Sequence, residues 1–486
     1  MGSKDRMAGF AGQRTDKARE QGAVCRDRLA ALLDADSFVE IDARVRSSGI
    51  TFGFEREPSD GDGVVAGYGT IDGRPVYVAA QDPDVHGGSI GRMHAGKIAK
   101  AIRLAIQARA PFVGMFDSGG ARIEEGVLAL DGMGEILSAL NAASGDIPTV
   151  AAVMGPCPGG VAVAAAQCDF VLMCGPKAGL YMNGPAVVAA SERKTLEPSV
   201  LGGAAVHTAE TGLAAFAYED EAACAAGIRQ LLGYLPDSAD APVFPFDDRD
   251  DANRTDDGLD RIAEGLDAGY NMRAVIASVM DTGSVLETSA AYAPGMFTGF
   301  ARLTGYNVGV VANADPLMDA DMAGKAARFV RLCDAFSIPL ITFTDAAGFK
   351  IGSEYEKSPV IRQTAEMSSA FADCTIPRLG VIVGKAYGTA FAAMNSKQTG
   401  ADMVYAWPTA DIGVVSADVA ANIIYRKEIG ASENPMTARA GFVARYADEV
   451  TAPHVAASLG LVDEIIQPAA TRPRLASALD MLVSAY

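Results

Sequence analysis

The stretch PFVGMFDSGGAR, residues 111–122, runs from an apolar segment into an aspartate and a turn of small residues. The stretch PLITFTDAAGFK, residues 339–350, has the same order of residue types and begins 228 residues later, at 339 instead of 111. A short apolar run that ends in polar and small residues is typical of a buried strand followed by a turn. The two stretches therefore predict that one structural unit occurs twice.

The elements that follow repeat as well. IPTVAAVMGPCPGGVA (147–162) corresponds to IPRLGVIVGKAYGTAF (376–391), which places Gly159 and Gly388 229 residues apart. Each half alternates short apolar runs with longer segments of helical spacing, such as residues 95–110. Because this alternation is typical of parallel strands covered by helices, the sequence predicts a duplicated α/β fold.

A segment rich in aspartate and proline, residues 234–260, lies between the halves. Such a composition is typical of a solvated connection. We expect an N-terminal domain at 1–240, a linker at 241–260 and a C-terminal domain at 261–486.

Composition narrows the classes of function. The net charge of −19 argues against a nucleic-acid partner, since phosphate binding requires a surplus of Lys and Arg. The sequence has neither a signal-like apolar start nor a run of 18 apolar residues, so we expect a cytoplasmic protein. The seven cysteines are scattered and form no C-x-x-C pair, which favours reduced, buried thiols and gives no zinc spacing. We predict no metal site.

The turn GPCPGG, residues 155–160, is the first candidate for chemistry. Its prolines delay helix formation, and Gly159 and Gly160 then precede the apolar run VAVAAAQ. A helix N-terminus presents unpaired N–H groups, and glycines allow close approach to them, which is how an oxyanion hole is built. A tight turn without function is the alternative. Recurrence of the turn at Gly388-Thr389 favours the hole, although a duplicated turn can also be purely structural.

The turn DSGGAR is a second candidate, in which backbone N–H groups could meet a thioester or a phosphate. A simple turn is again the alternative. Its candidate residues for substrate binding are Gly119, Gly120, Ala121 and Arg122.

Two motifs at 87–98 are incomplete. GGSIG matches the nucleophile elbow of hydrolases, but Asp82-Pro83-Asp84 interrupts the strand that should lead into Ser89, so a Ser89 hydrolase is a minor alternative. GRMHAGKI places Ile98 where a P-loop needs Ser or Thr, which argues against ATP binding there.

The chain resembles biotin-dependent acyl-CoA carboxyltransferases, a family that includes propionyl-CoA carboxylase beta subunits and methylmalonyl-CoA decarboxylase alpha subunits. The resemblance runs from about Arg26 to the C-terminus. It rests on GDGVVAGYGTIDGRPVYV (61–78), GGSIGRMHAGKI (87–98), DSGGARIEEGV (117–127), MGPCPGGVA (154–162), KAARFVRLCDAFSIPLITF (325–343), KAYGTAF (385–391), GADMVYAWPTADIGVV (400–415) and AANIIYRKEI (420–429).

The resemblance implies that each half is a crotonase-like ββα superhelix, and that the family's hexamer forms its sites between domains of different subunits. The N-terminal half would bind acyl-CoA, with Gly159 and Gly160 holding the thioester enolate oxygen. The C-terminal half would bind biotin, with Gly388 and Thr389 holding the ureido oxygen. Ala392 stands where the family tunes acyl size. Thr389 replaces a family glycine, and Ser358-Pro359 replaces two more near the expected biotin site.

The resemblance also implies partners, because this sequence has no P-loop and no M-K-M biotinylation motif. Biotin would come in trans on a biotin carboxyl carrier protein, alongside a biotin carboxylase or a membrane decarboxylase beta subunit. Carboxylase and decarboxylase remain nearly equal alternatives, and the preferred acyl chain stays open. A crotonase-type enoyl-CoA hydratase or isomerase would instead need a carboxylate such as Glu124, Glu125 or Glu135, and a non-enzymatic scaffold is a last alternative.

Overall fold

The computed structural model describes residues 22–47, 59–241, 245–246 and 250–483. The chain divides into two compact units, Met1–Pro242 and Val243–Tyr486. A helix begins at Asp257, inside the segment expected to be linker, because Leu259 of that helix is buried in the core of the second unit.

The first unit is built on one sheet with strand order β1-β2-β3-β4-β5-β7-β9. Strands β1 to β3 are antiparallel neighbours, and the pairs from β3 onward are parallel. The strands are β1 Val39–Ile41, β2 Val64–Ile71, β3 Arg74–Gln81, β4 Phe112–Phe116, β5 Thr149–Val153, β6 Pro156–Pro158, β7 Phe170–Cys174, β8 Gly179–Tyr181 and β9 Phe216–Tyr218. The helices are α1 Ala23–Leu32, α2 Arg92–Ala108, α3 Val127–Ala143, α4 Gly160–Gln167, α5 Pro185–Glu192, α6 Pro198–Gly202 and α7 Glu221–Leu232.

The second unit repeats this plan with strand order β10-β11-β12-β14-β16-β17-β19, and β18 pairs with β16. The strands are β10 Leu286–Glu287, β11 Met296–Leu303, β12 Tyr306–Asn313, β13 Leu317–Met318, β14 Leu340–Ala346, β15 Gly348–Phe349, β16 Arg378–Tyr387, β17 Met403–Ala406, β18 Asp411–Gly413 and β19 Glu464–Ile465. The helices are α8 Asp257–Glu264, α9 Met272–Val279, α10 Ala320–Ala335, α11 Ser353–Lys357, α12 Val360–Asp373, α13 Gly388–Ala392, α14 Ala417–Ile424, α15 Arg426–Ala431, α16 Pro435–Tyr446, α17 Pro453–Ser458 and α18 Thr471–Val483.

The predicted duplication is confirmed strand by strand. The two opening stretches form β4 and β14, which occupy the same place in their sheets between a hairpin strand and the next parallel strand. Every residue of β4 is buried, as a strand covered by helices on both faces requires. Helix α2 packs beside the sheet of the first unit, and α10 does the same in the second.

A close contact between an aspartate and a glycine lies at the end of β4, and an equivalent contact lies at the end of β14. Asp117 directly follows β4 and Asp345 is the penultimate residue of β14, and their carboxylates lie against Gly155 and Gly384. A Cβ on Gly384 would lie 2.7 Å from the Asp345 Oδ1, and one on Gly155 would overlap the Asp117 carboxylate. Both positions therefore require glycine.

Two buried lysines extend the repeat. Lys97 on α2 and Lys325 on α10 are 228 residues apart. Each Nζ donates to two backbone carbonyls at or just before the start of the hairpin: those of Gly61 and Val64 for Lys97, and those of Ser289 and Tyr292 for Lys325. Burial lowers the pKa of each ammonium to about 8. The lysines therefore fix equivalent loops in the two units.

The cysteines differ from expectation at one pair. Cys174 of β7 and Cys224 of α7, whose Cα atoms are 5.8 Å apart, form a disulfide, whereas the sequence predicted reduced thiols throughout. The scattered spacing could not reveal this pair because strand and helix meet only in the fold. The free cysteines are buried: Cys25, Cys157, Cys168, Cys333 and Cys374.

Candidate active site

The turn between β6 and α4 places its two glycines in different roles. Gly159 has φ +63° and ψ −127°, a conformation that favours glycine. Its N–H donates to the Tyr181 carbonyl at 2.7 Å, so this amide is not available to a substrate. The expectation that Gly159 and Gly160 together hold the thioester oxygen thus leaves Gly160 as the glycine of this pair whose amide is available. Gly160 is the first residue of α4, and its N–H has no acceptor within the described part of the chain.

The turn after β4 supplies a second donor. The Gly119 N–H donates to the Gly87 carbonyl at 2.8 Å, and the Gly120 N–H donates to the Ser118 Oγ at 3.1 Å. Ala121 is exposed, and its N–H has no acceptor among the residues that the structure describes.

The two turns are neighbours. Gly120 has φ +95°, and a Cβ built on it would lie 3.3 Å from the Pro158 Cγ. The available amides of Ala121 and Gly160 thus belong to adjacent turns, which is the arrangement an oxyanion hole needs.

The expectation for Arg122 concerns its backbone N–H, which donates to the Ile90 carbonyl at 2.9 Å. The Arg122 side chain is engaged within the protein as well. Its residue is 3% exposed, and the guanidinium forms ion pairs with Asp62 and Glu125 at 2.7 and 2.8 Å. The remaining bonds go to the carbonyl and the hydroxyl of Ser89. Sequence reasoning missed this because Asp62 lies 60 residues away along the chain.

Gly160 is required by packing as well. A Cβ on Gly160 would lie 2.6 Å from the Cγ and 2.8 Å from the Sδ of Met133, a buried residue of α3. A side chain at this position would therefore push α4 away from α3 and move the Gly160 amide.

The second unit forms the corresponding turn between β16 and α13. Gly388 has φ +52°, and a Cβ there would lie 3.0 Å from the Val414 carbonyl. Thr389 is exposed and lines a cleft of about 530 Å³ together with Ala392. A volume of this size is typical of small-molecule sites. The other residues lining the cleft are Phe349, Lys350, Tyr355, Glu356, Val360, Ile361, Thr364, Ala365, Ser368 and Ala393.

Ser358 and Pro359, which replace two glycines of the family pattern, lie beside this cleft. Pro359 precedes Val360, the first residue of α12, and the Ser358 Oγ donates to the Tyr355 carbonyl. These residues therefore shape the wall that carries Val360 and Ile361.

Phe349 corresponds to Ala121. The Lys350 N–H donates to the Met318 carbonyl at 2.8 Å, as the Arg122 N–H donates to the Ile90 carbonyl at 2.9 Å. Both pairs are offset by 228 residues, so the repeat alone could have pointed to Phe349.

In the described part of the chain, the histidine that follows Ser89 in sequence is not available to it as a base. The neighbouring His94 is fully buried, with its ring nitrogens bonded to the Gln81 side chain and the Asp62 carbonyl. Burial lowers the pKa of His94 to about 3, so the ring is neutral. Ser89 also lies after a short 3₁₀ turn, and not at the end of a strand.

The carboxylates considered for hydratase chemistry have structural partners. Glu125 is buried against Arg122 and accepts the Arg92 N–H at the start of α2. Glu135 forms an ion pair with Arg92 at 2.7 Å. Among the described residues, no group of three His, Cys, Asp or Glu side chains could hold a metal ion, and no helix is long and apolar enough to cross a membrane.

Comparison with known proteins identifies the class. Residues 17–486 match the family described as the carboxyl transferase domain, and the chain belongs to this family. It is 43% identical over 485 residues to the methylmalonyl-CoA decarboxylase subunit alpha of Veillonella parvula, covering 98% of this chain and 93% of the relative. It is 41% identical over 483 residues to the propionyl-CoA carboxylase beta chain of Cereibacter sphaeroides, covering 98% and 94%.

A solved relative agrees over the whole chain. The transcarboxylase 12S structure, described as a hexamer assembly with methylmalonyl-coenzyme A and methylmalonic acid bound, matches with a TM-score of 0.94 and 37% identity, covering 100% of this chain and 96% of the other. The chain is thus a biotin-dependent acyl-CoA carboxyltransferase of the propionyl-CoA carboxylase and methylmalonyl-CoA transcarboxylase type. The comparisons do not support the enoyl-CoA hydratase alternative.

Proposed function

We propose that this chain is the subunit that moves a carboxyl group between carrier-bound biotin and the α carbon of a short-chain acyl-CoA. Propionyl-CoA with methylmalonyl-CoA, or acetyl-CoA with malonyl-CoA, are the substrate pairs. The observation that carries the proposal is the pair of unoccupied amides, Ala121 and Gly160, on adjacent turns of the first unit. No side-chain nucleophile or metal is needed for this reaction.

The first unit would stabilise the thioester. The Ala121 and Gly160 N–H groups would donate to the thioester oxygen as negative charge develops on it during loss or gain of the carboxyl group. Preorganised donors of this kind contribute more in the transition state than in the ground state, so they accelerate the reaction. Gly159, Gly119 and Gly120 would hold these amides in place through their own hydrogen bonds.

The second unit would bind biotin. Its cleft of about 530 Å³ has apolar walls that fit a compact ring system. Biotin supplies the carboxyl group on a ring nitrogen, and that nitrogen can serve as the base. Gly388 and Thr389 would present backbone donors to the ureido oxygen, with Phe349 as the counterpart of Ala121. Ala392 would limit the size of the acyl group.

We also propose a homohexamer in the cytoplasm that works with a biotin carboxyl carrier protein. The full-length similarity to a transcarboxylase 12S subunit of hexameric assembly supports the oligomer. A biotin carboxylase or a membrane decarboxylase beta subunit would complete the enzyme. Domain boundaries at 1–240 and 261–486 would separate the acyl-CoA side from the biotin side.

The test is consumption of malonyl-CoA and methylmalonyl-CoA, followed by chromatography, with and without free biotin. Slow loss of one thioester should appear only with biotin and should rise when a biotinylated carrier is added, because tethering raises the effective concentration. Biotin-independent turnover of crotonyl-CoA, with no biotin-stimulated loss of either malonyl thioester, would overturn the proposal.

A further inference from the structure

Three buried charged residues lie directly behind the turn that carries Ala121. Asp62, Arg122 and Glu125 are 0%, 3% and 4% exposed. The Arg122 Nη1 donates to the Asp62 Oδ1 at 2.7 Å and to the Glu125 Oε1 at 2.8 Å. We call these three residues the ionic cluster.

The second oxygen of each carboxylate is also engaged. The Asp62 Oδ2 accepts the His94 N–H at 2.9 Å, and the Glu125 Oε2 accepts the Arg92 N–H at 2.7 Å. Both amides belong to the first turn of α2. The ionic cluster thus joins the loop before β2, the start of α2 and the turn after β4 into one hydrogen-bonded unit.

The remaining Arg122 donors fix the segment that holds Ala121. The guanidinium donates to the Ser89 carbonyl at 2.8 Å and to the Ser89 Oγ at 3.3 Å. The next residue, Ile90, donates its N–H to the Gly120 carbonyl and accepts the Arg122 N–H. The peptide groups on either side of Ala121 are therefore tied to a segment that Arg122 itself holds.

The second unit shows that the turn does not need such a cluster. Its counterpart of Arg122 is Lys350, whose side chain is 30% exposed, pairs with Asp319 at 2.7 Å and lies 5.9 Å from the centre of the Tyr355 ring. The backbone bond from Lys350 to Met318 still forms. Burial of charges is costly and adds little net stability compared with apolar packing. The ionic cluster is therefore an addition specific to the thioester side.

We infer that Asp62, Arg122 and Glu125 are positioning residues that set the direction of the Ala121 N–H toward the thioester oxygen. This inference rests on the proposed function, since it assigns the cluster to the same site. The ionic cluster acts through Ser89 and Ile90, and the Arg122 guanidinium does not contact the substrate. A displacement of about 1 Å at such a donor is enough to lower the rate about 100-fold.

The test compares Arg122→Lys with Arg472→Lys in the full chain. Arg472 is a matched control, because it is 2% exposed, pairs with buried Asp281 at 2.7 Å and donates to backbone carbonyls, but lies outside the proposed site. Lysine keeps the charge of either residue but loses the planar set of donors. Both variants should show a comparable fall in melting temperature.

Only Arg122→Lys should change catalysis. We expect the kcat of biotin-stimulated decarboxylation to fall about 100-fold, with the KM for the CoA thioester within about threefold of wild type. Arg472→Lys should keep the wild-type kcat. In infrared spectra, the carbonyl band of bound propionyl-CoA should lie at lower frequency than in solution for the wild type and Arg472→Lys, and this shift should shrink in Arg122→Lys.

The readouts separate the two proposals. A folded Arg122→Lys variant with wild-type kcat and an unchanged carbonyl band, or an equal kcat loss in Arg472→Lys, would overturn the positioning role. A wild-type protein without biotin-stimulated turnover would overturn the proposed function, while the carbonyl band would still decide the positioning role. If Arg122→Lys does not fold, Glu125→Gln removes one charge at constant volume and should give the same pattern.

Discussion

Adding a methyl group at Gly160 should impair the site through packing. In the structure the new Cβ would lie 2.6 Å from the Cγ of Met133, well inside van der Waals contact. Met133 is only 6% exposed, so it has little space to move away. Overpacking of this kind costs ~1–3 kcal/mol. We expect Gly160→Ala to be destabilised by that amount, and its kcat to fall because the Gly160 N–H moves with the start of α4.

A double-mutant cycle with Met133→Ala isolates this effect. Met133→Ala alone should cost ~2–5 kcal/mol, as expected for truncation of a buried methionine. In the double variant the clash is absent, so the two changes should cost less together than the sum of the single changes, by ~0.5–3 kcal/mol. The kcat should recover toward that of Met133→Ala, since the amide is still present.

The assay is urea unfolding for stability and biotin-stimulated decarboxylation for kcat, with all four proteins at equal concentration. Additive stabilities would show that the Cβ does not meet Met133. A Gly160→Ala variant with wild-type stability and kcat would refute the reasoning altogether.

Other consequences concern charge, substrate and thiols. Lys97 has a folded-state pKa of about 8, below the value of ~10.4 for an unfolded lysine. The cost of burying its charge is therefore full below pH 8 and declines as pH rises toward ~10.4, because the folded protein loses the proton first. Relative to Lys97→Met, the wild type should therefore gain stability over that range in urea titrations, by at most ~1.4 kcal/mol per pH unit; a constant difference would contradict it. Ala392→Ile should shift preference from butyryl- and propionyl-CoA toward acetyl-CoA in competition assays, because in the proposed function Ala392 limits the size of the acyl group; unchanged ratios would contradict that role. Burial raises the pKa of the five free thiols, so the folded protein should react slowly with a thiol reagent at pH 8 and the unfolded protein rapidly. Fast reaction of the folded protein would contradict the burial of Cys25, Cys157, Cys168, Cys333 and Cys374.

The sequence alone was sufficient for the duplicated fold because the repeat preserves both residue type and spacing. The stretches 111–122 and 339–350 form equivalent strands and turns. The offset also relates Lys97 to Lys325, although their burial could not be read from the pattern. Local periodicity and turn residues carry this information, and both are visible in one sequence.

The details of the site depended on contacts between distant residues. The Gly159 amide is used by the Tyr181 carbonyl because β6 pairs with β8, a short two-stranded ladder with no periodic signal. Arg122 turns inward because Asp62 and Ser89 lie behind it. A motif predicts which residues are close to the site, but only the fold shows which of their donors remain available.

In the proposed function, one kind of turn would serve two different ligands. Gln81 and Asn313 end equivalent strands. The Gln81 side chain accepts the backbone N–H of Asp117, just after β4, at 3.0 Å, and the Asn313 side chain accepts that of Asp345 of β14 at 3.3 Å. Behind Gln81 lies His94, which is bonded to the loop of Asp62, whereas the residue 228 positions after His94 is Met322.

The first unit thus supports its turn with a buried ionic cluster, whereas in the second unit Lys350 pairs with Asp319 beside the cleft. A fixed amide is what a thioester oxygen requires as it gains charge, because donor orientation determines the stabilisation. An open apolar cleft is what a ring brought by a separate carrier requires, because it must enter and leave during each cycle. Duplication supplied the two turns, and the two halves differ both in the residues behind the turns and within them, where Thr389 takes the place of Gly160.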